Sequence, residues 1–192
     1  TTGVKRWEFP TGAGIVSTPA VSPDGSTVVV GSRDRKLYAV TASSGTKIWE
    51  FETGGVVESS PAFSPDGTTV YVGSSDTKVY AVLVSTGAKK WQFATGGAVL
   101  SSPAVSPTGG TVYVGSSDSL FYGVVAMSGT QKFAISSGGP ILSTPAVSRN
   151  GSVVYVGSRA NKILAVAVER ASLGRGECPG TSGTIGYLDV WH

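Results

Sequence analysis

The sequence predicts an all-β protein built from four copies of one unit of 42 residues. A proline, a glycine and an aromatic residue each recur at this interval without a gap. The three sets are Pro19, Pro61, Pro103 and Pro145; Gly31, Gly73, Gly115 and Gly157; and Trp7, Trp49, Trp91 and Phe133. A fixed period of this length is typical of repeat architectures. The 27 glycines and 10 prolines favour many turns over helices.

Each unit is predicted to contain four short strands, and the second unit shows them most clearly. The predicted strands are residues 59–64, 69–74, 78–84 and 89–93. The first ends at Pro65-Asp66-Gly67, in which proline fixes φ and glycine supplies a positive φ. The third is apolar on both faces and is therefore expected to be covered on both sides. One unit is thus one antiparallel sheet stacked between its neighbours.

A four-stranded antiparallel sheet that repeats every ~40–50 residues predicts a β-propeller with one blade per repeat. The repeats are residues 7–48, 49–90, 91–132 and 133–171. They form a domain of residues 1–171, and residues 172–192 are a C-terminal tail that can add an edge strand. Four blades can close as a small ring, form half of a ring of about eight blades, or enter a larger assembly. The sequence leaves these alternatives open.

Two stretches of the second repeat carry a family resemblance. Residues 72–82 read Val-Gly-Ser-Ser-Asp-Thr-Lys-Val-Tyr-Ala-Val, and Gly87 precedes Trp91 by four positions. This pattern resembles the tryptophan-docking repeat of quinoprotein (PQQ-like) β-propellers. In that family the tryptophan packs between adjacent blades. The residues to which the resemblance assigns this structural docking role are Trp7, Trp49, Trp91 and Phe133.

The same family includes dehydrogenases that hold a quinone and calcium. Resemblance to those enzymes would imply a vicinal cysteine pair and a cluster of acid and amide ligands. This chain has a single cysteine, Cys178, and a single histidine, His192, so no Ser-His-Asp set or histidine metal site can form within a repeat. We therefore expect no enzyme activity, no catalytic or metal site and no cofactor. A fragment of a longer quinone-dependent dehydrogenase remains an alternative.

Charge and hydropathy argue against two kinds of partner. The net charge is +3 and the basic residues are scattered, so nucleic acid is not expected to bind. No apolar run approaches the ~20 residues of a membrane-spanning helix, so membrane insertion is not expected. Few charges, abundant serine, threonine and glycine, a first residue other than methionine and the family resemblance favour an extracellular, lumenal or periplasmic location.

The interpretation of two residues depends on this non-cytosolic location. Cys178 would there be an unpaired thiol or would form an intermolecular disulfide. Asn150 begins an Asn-Gly-Ser triplet and would be an N-glycosylation acceptor if the source has a eukaryotic secretory pathway.

Charged residues interrupt the repeat on one predicted face. The loops between second and third strands are expected to emerge on the same side as the loops between blades. Glu58 stands in a column that is otherwise apolar, as at Val16 and Leu100. The candidate partner face consists of Arg33, Arg35, Glu58 and Arg159.

The two ends of the chain are complementary. Residues 4–9 resemble a fourth strand without preceding strands, whereas the fourth repeat lacks the Gly-x-x-x-Trp of its own fourth strand. Residues 4–9 can complete the last blade in the same chain or in another copy, and residues 187–191 of the tail compete for that edge. We predict a structural or protein-interaction propeller that binds protein, chiefly other copies of itself. A lectin-like module that binds glycan is an alternative.

Overall fold

The computed structural model describes residues 3–168, and this part of the chain consists of β-strands, turns and loops. Fifteen strands form four antiparallel sheets, one for each repeat. In chain order the strands are β1 Ala20–Val21, β2 Thr27–Gly31, β3 Lys36–Thr41, β4 Lys47–Glu52, β5 Ala62–Phe63, β6 Thr69–Gly73, β7 Lys78–Leu83, β8 Lys89–Ala94, β9 Ala104–Val105, β10 Thr111–Gly115, β11 Leu120–Val125, β12 Gln131–Ser136, β13 Ala146–Val147, β14 Val153–Ser158 and β15 Lys162–Ala167. The predicted all-β class is confirmed.

Each sheet keeps the order of its strands along the chain. Blade 1 is β1–β4, blade 2 is β5–β8, and blade 3 is β9–β12. Blade 4 has three strands in the described residues, β13–β15, and β15 lies at its edge. The sheets are offset from the sequence repeats. The repeats 49–90, 91–132 and 133–171 each begin at an aromatic residue that belongs to the last strand of the preceding sheet. A period fixes the repeat length but not where a sheet begins.

The first strand of each blade is shorter than predicted. Residues 59–64 were expected to be extended, but β5 contains two residues, Ala62 and Phe63. Pro61 has no N–H for a ladder, and the two preceding serines bond elsewhere. The Ser59 hydroxyl accepts a hydrogen bond from Gly73 N at 3.0 Å, and Ser60 N donates to the Ser102 hydroxyl of the next blade at 2.8 Å.

These short strands lie next to one another at the inner side of the blades. β1 contacts β5, β5 contacts β9 and β9 contacts β13. Hydrogen bonds between residues one repeat apart connect them, as from Thr18 N to the Ser60 hydroxyl at 2.8 Å. The long strands β4, β8 and β12 are the last in their sheets and form the outer edge.

The hydrophobic core lies between the blades. One cluster joins Val29 and Trp49 of blade 1 to Val70 and Tyr80 of blade 2. Strands β6 and β10 are buried along their whole length, and four of the six residues of β7 are buried. The expectation that the third strand is covered on both faces is therefore met by stacking of adjacent sheets.

Some predictions fall outside residues 3–168. They concern Cys178, the tail strand 187–191 and His192. Within the described residues, no helix is long and apolar enough to cross a membrane.

Candidate functional site

Two tryptophans join neighbouring blades at the outer edge. Trp49 of blade 1 donates its indole Nε1–H to Val84 O of blade 2 at 2.6 Å. Trp91 of blade 2 makes the same bond to Ala126 O of blade 3 at 2.9 Å. Both side chains are buried. In the β7–β8 ladder the register shifts between the Ala81–Trp91 pair and the Val82–Lys89 pair. Such bulges redirect side chains.

A glycine in the next blade makes room for each ring. Gly129 has a φ of 75°, and a Cβ placed on it would lie 2.7 Å from the Trp91 indole. A residue with a side chain would therefore be strained and would also collide with the ring. The glycine of the Gly-x-x-x-Trp motif thus has two roles. It adopts the left-handed turn, and it leaves room for the tryptophan ring of the preceding blade.

A second layer of contacts ties the linker between blades to the following blade. The Asp76 carboxylate accepts hydrogen bonds from Gly54 N at 2.7 Å, from Lys78 N at 3.1 Å and from the Tyr80 hydroxyl. The Tyr80 ring packs edge-on against Phe51 of the preceding blade, with 5.4 Å between ring centroids. Asp34 and Asp118 make the corresponding hydrogen bonds to linker and tyrosine in blades 1 and 3.

The junction between blades 3 and 4 lacks these polar contacts. Phe133 has no indole N–H to donate and lies over Gly123 of its own blade, where a Cβ would be 2.4 Å from the ring. Ala160 and Leu164 stand where the other blades have the aspartate and tyrosine. The junction instead depends on apolar packing, in which Phe133 and Leu164 adjoin a buried cluster that spans both blades. Among the described residues, this junction therefore lacks the indole, aspartate and tyrosine hydrogen bonds of the other two junctions.

The aspartate–tyrosine pairs predict a loss of stability at alkaline pH. Burial, followed by the hydrogen bond to Asp118, raises the pKa of Tyr122 from 10.0 to about 12, and the same causes raise that of Tyr80. A raised folded-state pKa stabilises the protein fully below pH ~10, and that stabilisation is lost as the pH rises toward ~12. Denaturant unfolding at a series of pH values should show this decline, and Tyr122→Phe should reduce it. An unchanged decline in Tyr122→Phe would contradict the assignment.

The candidate partner face is partly engaged in ion pairs. Arg33 Nε lies 2.8 Å from Glu58 Oε1, so these two residues are brought together across the loop that leads to blade 2. Arg35 pairs separately with Glu52 at 3.6 Å. Arg159 lies in the corresponding turn of blade 4, where its backbone N–H donates to Pro140 O at 2.9 Å. The loops between blades and the loops between second and third strands lie on the same face, as the hydrogen bond from Gly54 N to Asp76 shows.

Asn150 lies in an exposed turn of blade 4. Its side-chain oxygen accepts hydrogen bonds from Ser152 N at 3.1 Å and from the Ser152 hydroxyl at 2.8 Å. Both serve the turn between β13 and β14, as the aspartates do at the corresponding turns of blades 1 and 2.

Within residues 3–168, each end of the blade stack contains one half of a junction without the other half. Between described blades, a branched side chain from the linker fills the space above a strand glycine. Val57 packs on Gly31, Val99 on Gly73 and Ile141 on Gly115, and all three are fully buried. The corresponding Ile15 at the start of the chain is 45% exposed. A Cβ on Gly157 of blade 4 would meet only Ser143 within 4 Å in the described residues.

Apolar residues of blade 4 are exposed in the same way. Ile163 is 81% exposed, whereas Val79 and Phe121 at the corresponding positions are fully buried. Tyr155 is 45% exposed, whereas Tyr113 is 3% exposed. Sequence reasoning identified complementary ends but missed these residues. Alignment of the repeats could have identified them, because Ile163 and Tyr155 occupy positions that are buried in the inner blades.

A quinone–calcium site does not fit the described residues. Among residues 3–168, no group of three histidine, cysteine, aspartate or glutamate side chains is placed to hold a metal ion. The aspartates that recur in the repeats accept hydrogen bonds from backbone and hydroxyl groups, either within their own turn or from the preceding linker and a strand tyrosine. In Asp24, bonds from the Ser22 hydroxyl and from Ser26 lower the pKa to about 2.

Comparison with known proteins identifies the family. A family model of the PQQ-like repeat type, described as outer membrane protein assembly factor BamB, matches residues 1–173. This chain belongs to that family. The PQQ-like propeller also resembles the crystal structure of BamB from Moraxella catarrhalis, with a TM-score of 0.74 and 22% sequence identity. The match covers 84% of this chain and 49% of that chain, so this PQQ-like propeller spans about half the length of the solved relative.

At this identity the structural likeness establishes the fold, and it confirms the predicted propeller. The family model confirms the resemblance to PQQ-like repeats. A search of curated proteins finds no match to this PQQ-like propeller.

Proposed function

We propose that this chain is a non-enzymatic propeller module that binds other proteins, including further copies of itself, through the exposed ends of its blade stack. The observation that carries the proposal is the exposure of core-type residues at both ends. Ile163 is 81% exposed on blade 4 and Ile15 is 45% exposed before blade 1. Apolar side chains exposed at positions that are buried in the inner blades indicate a surface for another protein.

The family supports a protein partner. Its description names an outer membrane protein assembly factor, and from that name we infer a protein partner for this chain. The same description favours a periplasmic location among the three compartments that the sequence suggested. The hydrogen-bonded aspartates support a structural role for the repeated acidic residues rather than a catalytic one.

The experiment is a measurement of mass in solution by sedimentation equilibrium over a wide range of dilution. We expect a concentration-dependent assembly larger than the 19.5 kDa chain. Ile163→Asp should abolish it, because a carboxylate would have to be desolvated in the contact. Met127→Asp is the matched control, since Met127 is 78% exposed but lies in a turn of blade 3. A chain that is monomeric throughout, or equal effects of the two variants, would contradict the proposal.

We also propose that the candidate partner face, Arg33, Arg35, Glu58 and Arg159, contributes to partner binding rather than to stability. The Arg33–Glu58 pair is partly exposed, and such pairs contribute ~0–1 kcal/mol. Arg33→Ala and Glu58→Ala should change the free energy of unfolding by at most ~1 kcal/mol and should weaken assembly or binding. Thermal melts and sedimentation of both variants test this, and assembly identical to that of the parent would refute the assignment.

A further inference from the structure

We propose that two copies of this chain close head to tail, so that residues 3–10 of each copy form the outer strand of blade 4 in the other copy, with Glu8 paired to Lys162. This inference rests on the proposed function, because it names the partner and the contacts of the same exposed ends. It commits to a second copy as the occupant of the edge of β15 and of the face of blade 4, both of which lack a partner among residues 3–168.

Residues 3–10 are already positioned as an outer strand. Trp7 Nε1 donates to Ala42 O of blade 1 at 2.9 Å, and a Cβ on Gly45 would lie 2.7 Å from its ring. Phe9 packs edge-on against Tyr38 with 5.4 Å between centroids. Trp49 and Phe51 of blade 1 make the same contacts to blade 2. Each true outer strand also pairs with the third strand of its own blade, and this second partner is what residues 3–10 lack in the described structure.

Charge identifies the missing partner. In blade 1, Glu50 of β4 binds Lys47 at 2.9 Å and Lys36 of β3 at 2.6 Å. Residues 3–10 reproduce half of this arrangement, because Lys5 binds Glu8 at 2.9 Å.

The other half is on blade 4. Lys162 of β15 occupies the position of Lys36, three repeats later. The internal outer strands of blades 2 and 3 have Gln92 and Ala134 at the glutamate position. Glu8 and Lys162 therefore match the blade 1 ion pair, and they do so at opposite ends of the chain.

The register that follows from this pairing is compatible with Pro10. Transfer of the β3–β4 ladder places Trp7 opposite Ala165 and Phe9 opposite Ile163. It places Pro10 at the position of Glu52. Thr53, the residue after Glu52, donates its N–H to Arg35 O, just before β3, at 2.8 Å. Since N–H groups alternate in direction along an antiparallel strand, the N–H at the Glu52 position faces away from that strand. A proline fits there without loss of a ladder hydrogen bond.

Side chains on the facing surfaces are complementary as well. In the pairing, Ile15 of one copy would reach Gly157 of the other, as Val57 reaches Gly31 within the chain. Tyr155 would approach Trp7 of the other copy, as Tyr71 approaches Trp91 at 5.6 Å between centroids. The exposed residues of one end thus fill the spaces left at the other end.

A two-fold arrangement satisfies both ends at once. Each copy supplies one strand and accepts one, so the ring closes with two identical junctions.

The test is a charge-exchange cycle on the full chain, read by sedimentation equilibrium. Glu8→Lys and Lys162→Glu should each raise the dimer dissociation constant at least about tenfold, because each change places like charges across the paired strands at both junctions. The double variant Glu8→Lys/Lys162→Glu should recover most of the affinity. Lys78→Glu is the matched control at the same position of an inner blade and should have no effect on the dimer.

A second variant does not depend on charge. Gly157→Val fills the space meant for Ile15 and should prevent dimerisation while the circular dichroism spectrum stays that of the folded parent. A dimer that is insensitive to all of these variants would overturn this inference but leave the proposed function standing. A monomer at every concentration would overturn both, and this is also the result expected if residues 187–191 of the same chain fill the edge of β15.

Discussion

Trp91→Ala should lower the free energy of unfolding by ~3–5 kcal/mol, the usual cost of removing a buried aromatic side chain. Trp91 fills the junction between blades 2 and 3, where its ring covers Gly129 and its indole N–H is bonded to Ala126 O. Truncation would open a cavity and remove the indole donor, so that carbonyl would keep only the longer hydrogen bond from the Tyr71 hydroxyl at 3.5 Å. Trp49→Ala should behave similarly, since Trp49 makes the equivalent contacts. Urea unfolding of the dilute monomer measures both.

Trp91→Phe serves as the control for the size of the ring. It keeps most of the apolar contact but removes the indole N–H, as Phe133 does naturally at the third junction. Loss of one hydrogen bond should cost ~1 kcal/mol, well below the cost of the alanine variant. If Trp91→Ala unfolds at the same urea concentration as the parent, the assignment of the tryptophans to blade docking is wrong.

Gly73→Ala should destabilise the protein by ~1–3 kcal/mol or more through overpacking. A Cβ at this position would lie 2.5 Å from Val99 Cγ1 and 2.6 Å from Val99 O. The side chain can rotate away but the backbone oxygen cannot, so the linker to blade 3 would have to move. Thermal denaturation of the dilute monomer is the measurement.

Gly157→Ala is the matched variant at the open end of blade 4. Its added Cβ would approach the Ser143 hydroxyl at 3.4 Å and nothing closer in the described residues, so the monomer should keep its stability. The contrast between two glycines of one repeat column isolates the effect of a neighbouring blade. Equal melting temperatures for Gly73→Ala and the parent would show that the blades are not stacked as described.

The sequence by itself determined the repeat, the class of fold and the family. The 42-residue step, the apolar third strand and turns such as Pro65-Asp66-Gly67 depend on local chemistry within a repeat. For that reason the strands 69–74, 78–84 and 89–93 were placed within one residue of β6, β7 and β8. The first strand was overestimated, because the hydrogen bonds of Ser59 and Ser60 lead to other strands and are not visible in a local pattern.

Only the tertiary structure decided which repeats have a neighbour on each side. Ile163 and Phe121 occupy the same column, yet one is exposed and the other fully buried. The difference comes from the blade that stacks on β11 and from the open face beside β15 in the described residues. The Arg33–Glu58 pair likewise required the path of the linker, since 25 positions separate the two residues. A repeat sequence specifies equivalent surfaces, whereas burial depends on what lies against each surface, and that is a property of the folded chain and its partners.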